Sequence, residues 1–108
     1  MANDEFDIFC KTVVGKTGWF PRGKTSVMLV DYDLASGRGR CKITRPKGKD
    51  RNHYILHRVD INSGIQACRD QGHLINSGEL IRAGITSWSA SPLYGLLKLY
   101  FDQVGFSR

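Results

Sequence analysis

Residues 91–105 read Ser-Pro-Leu-Tyr-Gly-Leu-Leu-Lys-Leu-Tyr-Phe-Asp-Gln-Val-Gly, or SPLYGLLKLYFDQVG. Apolar side chains recur at Leu93, Leu96, Leu97, Tyr100, Phe101 and Val104, a spacing that gathers them on one wide face of a helix. Ser91 supplies N-cap chemistry, Pro92 has the backbone angle of a first helical position, and Gly105 stops the run. The spacing therefore predicts a helix over 92–104. A stripe this wide must bury against another apolar surface, and the preceding sequence offers a sheet.

The first 60 residues predict strands, because DIFCKTVV (7–14), TSVMLVDYD (25–33), RGRCKIT (38–44) and NHYILHRVD (52–60) are β-branched or aromatic-rich runs of strand length. The breaks GKTGWFPRGK, LASG and RPKGKDR have the Gly, Pro and charge of turns in an antiparallel meander. Beyond residue 60, Ser63 with Gln66 and Asn76 with Glu79 carry capping-box spacing, and Gly72 and Gly84 supply stops, predicting two shorter helices. The expected fold class is α+β, with an N-terminal antiparallel β-sheet of about four strands (1–60) covered by C-terminal helices (61–108). The 108 residues suffice for one domain built around one core.

The first ten residues carry three acids and no basic region, and no apolar run approaches 18 residues, so neither a leader nor a membrane span is expected. Cys10, Cys41 and Cys68 are odd in number and form no C-x-x-C pair, which argues against a disulfide framework and for reduced thiols in the cytoplasm.

Charge is the strongest global signal. The formal net charge of +6 hides an acidic segment, a basic one and a neutral one. Residues 11–58 hold 12 of the 16 Lys and Arg against Asp31, Asp33 and Asp50, while residues 59–108 balance four bases with four acids. A block so polarised fits a basic face that meets a polyanion.

Within that block, GWFPRGKT (18–25) matches the phosphate-loop pattern G-x-x-x-x-G-K-[ST], but a working loop opens a helix, whereas SVMLVDYD follows here and reads as a strand. A basic hairpin loop is the better reading. RGRCKITRPKGKDR (38–51) adds seven bases within 14 residues, with Arg40, Lys42 and Thr44 on one strand face and Cys41 and Ile43 on the other.

The expected function is therefore a small nucleic-acid-binding protein, taking RNA or single-stranded DNA without a cofactor. Lys16, Arg22, Lys24, Arg38, Arg40, Lys42, Arg45, Lys47, Lys49, Arg51 and Arg58 would supply charge, and Trp19, Phe20 and Tyr54 would offer stacking surfaces.

Other readings compete. A basic surface also suits a regulator or inhibitor that binds an acidic protein partner. A metal-independent ribonuclease needs one His beside cations, for which His57 or His53 near Lys42, Arg51 and Arg58 qualifies. Cys41, His53, His57 and Cys68 hold zinc-ligand chemistry, yet the first Cys pair of a finger is missing, so cysteines packed as small hydrophobes are expected instead.

The segment from Ser77 to Arg108 loosely resembles helix-turn-helix proteins. Its connection ITSWSAS exceeds the usual turn, however, and the would-be recognition helix offers only Lys98, opposed by Asp102. That half reads as scaffold, with Trp88 as a candidate protein-interface residue.

Overall fold

The apolar stripe near the C-terminus does form a helix, and it lies across a four-stranded antiparallel sheet. The computed structural model describes residues 5–21, 23–86 and 89–106. In chain order the elements are α1 (Phe6–Val13), β1 (Thr17–Trp19), β2 (Ser26–Asp33), β3 (Arg38–Thr44), β4 (Arg51–His57), α2 (Arg58–Gln71), α3 (Ser77–Arg82) and α4 (Ala90–Val104). The sheet is a meander in the order β1-β2-β3-β4, antiparallel at every pairing. The α+β class with its sheet-then-helices order is thus observed.

Three local expectations need correction. DIFCKTVV is helical: Phe6, Phe9, Cys10 and Val13 are all buried, and their spacing makes one face of α1. Aromatic and β-branched composition suggested a strand, and burial of that face against the core overrides it. The fourth strand comes instead from the supposed turn GKTGWFPRGK, where Thr17–Trp19 pairs with Ser26–Met28. Finally, the chain leaves the sheet at His57, so Arg58, Val59 and Asp60 open α2 and Ser63 does not cap it. Gly72 ends that helix in the left-handed region at φ 74°, as its position implied.

The capping box at Asn76 is present, with Asn76 Oδ1 accepting from the Glu79 N–H at 2.9 Å and Asn76 Nδ2 donating to Glu79 Oε1 at 2.9 Å. Helix α4 begins one residue before Ser91, with Ser89 at the N-cap position and Pro92 in the first turn, where a missing N–H costs nothing. Leu93, Leu96, Leu97, Tyr100 and Phe101 are buried, whereas Val104, the last residue of the expected stripe, is 40% exposed. Across the interface they meet Val27 and Leu29 of β2, Cys41 and Ile43 of β3, and Leu56 of β4 within one apolar cluster.

Two glycines let α4 and β1 touch backbone to backbone. A Cβ on Gly18 would lie 2.5 Å from the Gly95 carbonyl oxygen, and one on Gly95 would lie 3.0 Å from the Trp19 carbonyl oxygen. A polar tie closes the other side of the core. The Tyr100 hydroxyl donates to Glu5 Oε2 at 2.8 Å, Arg69 of α2 pairs with Glu5 Oε1, and the Arg69 guanidinium lies 5.7 Å from the Phe101 ring centre. One carboxylate just before α1 thereby joins three helices. Burial first, and the hydrogen bond to Glu5 second, push the Tyr100 phenol above its ordinary pKa.

All three cysteines are fully buried in this cluster, and burial pushes the Cys41 thiol up to about 12. They pack as small hydrophobes.

Gly18→Ala is expected to destabilise the fold by about 1–3 kcal/mol, because the added methyl meets backbone rather than a side chain that can rotate away. Ser63→Ala, at an exposed position on α2, should change stability by less than about 0.5 kcal/mol. Urea unfolding followed by circular dichroism measures both.

Candidate nucleic-acid interface

A meander alternates its loops between two ends. The β1–β2 loop (20–25) and the β3–β4 loop (45–50) therefore share one end, and the β2–β3 turn (34–37) lies at the other. Lys24, Arg45, Lys47, Lys49 and Arg51 all belong to the first end, and all are exposed. Among the described residues, none of these five forms an ion pair. Arg22 belongs to the same loop by sequence but lies outside the described residues.

Between these loops and the first turn of α4 is a cleft of about 500 Å³. Ile43 lies on β3, Phe20 follows β1 on one side, and Tyr54 on β4 stands on the other, with Arg45, Arg51, Ile81, Ala90, Ser91 and Pro92 completing the lining. Three strand spacings, about 14 Å in all, separate the outer strands that carry Phe20 and Tyr54. The Tyr54 hydroxyl is within 3.0 Å of Ser89 Oγ, and the Arg51 guanidinium lies 5.2 Å from the Tyr54 ring centre. These contacts place a guanidinium over an aromatic ring at the cleft wall.

An adjoining cleft of about 400 Å³ shares Phe20 and Ser91 with the first, and adds Pro21, Lys24, Thr25 and Ser77. The start of α4, the positive end of its dipole, faces both.

The open face of the sheet is different. Cross-strand register sets Asp31 opposite Arg40 and Asp33 opposite Arg38, after a bulge at Val30 shifts the pairing by one residue. Arg40 Nε donates to both Asp31 carboxylate oxygens at 3.1 Å, and Lys42 pairs with Asp50 at 3.8 Å. The Arg40 guanidinium holds the Asp31 carboxyl below the usual carboxylate range. Each basic side chain on this face of β3 thus has an acid beside it. Trp19 is about half exposed on the same face, at 52%, in a row with Ser26 and Thr44.

Arg38 and Arg58 lie at the far end of the sheet, and Lys16 precedes β1 level with the middle of β2, where the neighbouring Gly15 N–H donates to the Leu29 carbonyl. Arg58 is already engaged, donating to the Leu34 carbonyl and stacking 5.3 Å from the Phe6 ring centre. His53 and His57 are exposed on the open face, His57 opposite Arg38 at the far end, and neither lines the basic cleft. Cys41 and Cys68 are buried in the core, apart from both histidines.

The phosphate-loop match is a hairpin loop, closed by Phe20 N–H to the Thr25 carbonyl at 2.9 Å and followed by β2. Helix α4 buries most of its surface in the core, and its Lys98 pairs with Asp102 at 3.2 Å, as expected of scaffold. Trp88 lies outside the described residues. Ile81, Ser91 and Pro92 join the first cleft from α3 and α4, and Ser77 of α3 joins the second, with no signal in the sequence, because only the tertiary fold brings these helices to the basic end.

Asp31→Asn removes the carboxylate charge that Arg40 pairs with. A depressed acid pKa keeps the Asp31–Arg40 pair intact at neutral pH, and the pair is lost only as pH falls through that lowered value. Carboxyl NMR titration follows this directly, and Arg40→Ala should return Asp31 to the ordinary range.

Among the described residues, no helix is long and apolar enough to cross a membrane, and no group of three or more His, Cys, Asp or Glu is placed to hold a metal ion. No protein-family model matches the chain, and comparisons with curated proteins and with solved structures find no match.

Proposed function

We propose that this protein binds single-stranded nucleic acid, RNA or DNA, chiefly through phosphate contacts at the basic end of the sheet. One observation carries the reading: among the described residues, five cations without ion pairs share that end, from two loops and the start of β4, and two of them, Arg45 and Arg51, line a cleft together with Phe20 and Tyr54. Unpaired cations release counterions from a polyanion without first giving up a carboxylate partner, so they contribute more to binding than the paired bases on the open face. The buried free thiols suit a reducing compartment, and we place the protein in the cytoplasm.

With about five phosphates neutralised, log affinity for a single strand should fall against log salt with a slope near −3.5. Arg45→Ala and Arg51→Ala should each reduce that slope by about 0.7, while Arg58→Ala at the far end should leave it unchanged. Lys24→Ala should weaken binding modestly and reveal no ATP affinity in either form. Electrophoretic shifts with single-stranded RNA, single-stranded DNA and duplex at two salt concentrations test these outcomes. Absence of binding at low salt, or affinity indifferent to salt, would sink the proposal. Capture of an acidic protein that survives nuclease treatment would then support a regulator or inhibitor.

A further inference from the structure

Both adjoining clefts mix apolar with basic and polar residues, and phosphate binding alone does not require the apolar share. The first combines an apolar floor, Ile43 and Pro92, with Phe20 on one side and the Arg51 guanidinium stacked on Tyr54 on the other. The second is lined by Lys24, Thr25, Ser77 and Ser91, with Phe20 and Pro21 as its apolar part. Phe20 and Ser91 belong to both, so one chain can pass from the first to the second without leaving the surface.

A phosphate gains nothing from an apolar floor, whereas a nucleobase does, and every base has a π-face for an aromatic ring or a guanidinium plane. The volume of about 500 Å³ lies in the range of small-molecule pockets, large enough for a base.

We infer that the two clefts are consecutive subsites for an unpaired strand. The first takes one extruded base against Phe20 and the Arg51–Tyr54 stack, with its phosphate on Arg45 and Arg51. The second takes the next phosphate on Lys24 and the hydroxyls of Thr25, Ser77 and Ser91. This rests on the nucleic-acid reading and adds to it that the protein reads an unpaired base, not the backbone alone. A paired base must first leave its stack to enter, so duplex is disfavoured even though it carries more charge. Ser89 and Tyr54 act as positioning residues, since their contact fixes the ring on which Arg51 lies.

The experiment compares three end-labelled probes of equal length by fluorescence anisotropy at low salt: an oligothymidylate, an abasic strand with the same phosphates and tetrahydrofuran in place of each nucleoside, and a duplex. The oligothymidylate should bind roughly tenfold or more tightly than the abasic strand. It should also bind more tightly than the duplex. Phe20→Leu keeps the apolar lining and removes the aromatic face, so it should shrink the ratio of oligothymidylate to abasic affinity. Equal affinity for the oligothymidylate and the abasic strand overturns the base subsite and leaves phosphate binding standing. Duplex binding as tight as the single strand also overturns the subsite. Failure of all three probes to bind overturns both readings. The unaltered protein alone decides among these outcomes, whatever the stability of the variant.

Discussion

The close approach of Gly18 and Gly95 sets how the helical layer sits on the sheet. With no side chain on either residue, the backbone of α4 rests on β1, and the 2.5 Å from a notional Gly18 Cβ to the Gly95 carbonyl oxygen leaves no room for even a methyl group. Seated there, α4 runs from the basic end of the sheet across β1 and β2, and its apolar face covers Val27 and Leu29. The first turn of α4 must then lie between Phe20 and Tyr54, where it completes the cleft. At the other side of the core, Glu5, Arg69 and Tyr100 tie α1, α2 and α4 together, so the helical layer is anchored at two points.

Register decides which cations remain available. Along the chain, Arg38, Arg40 and Lys42 look like the densest phosphate-binding segment, since they alternate on one strand. The meander places Asp33 and Asp31 of β2 beside the first two, and the turn into β4 returns Asp50 beside Lys42. Among the described residues, Lys24, Arg45, Lys47, Lys49 and Arg51 have no acid paired with them. Alternating loop ends then gather Lys24 with Arg45, Lys47, Lys49 and Arg51, although about 20 residues separate Lys24 from Arg45 in sequence. The basic block is one run in sequence but splits in space into a compensated face and an uncompensated end.

Elements whose signal is local are legible from residues alone. Asn76 and Glu79 lie three residues apart and form their capping box without help from the rest of the chain. RGRCKIT alternates charged and apolar residues, and its burial alternates with it. Helix α1 shows how such a reading goes astray, because FDIFCKTV mixes aromatic and β-branched residues that suit a strand with a spacing that suits a helix. Burial of Phe6, Phe9, Cys10 and Val13 on one side decided between them. Strand β1 is three residues long with glycine at its centre, and no local pattern separates it from a turn.

By itself, the sequence determined the α+β order, the apolar face of α4, the hairpin nature of GWFPRGKT and the concentration of charge between residues 11 and 58. These follow from residue spacing and from the chemistry of caps and turns, which act over a few residues. Only the tertiary structure decided which bases are compensated, which loops meet, and that Ser91 and Pro92 border the same cleft as Phe20 and Tyr54, with Ser77 in the cleft beside it. Those relations depend on strand register and on where one helix can rest on a sheet, and a backbone contact between Gly18 and Gly95, 77 residues apart in sequence, sets the latter.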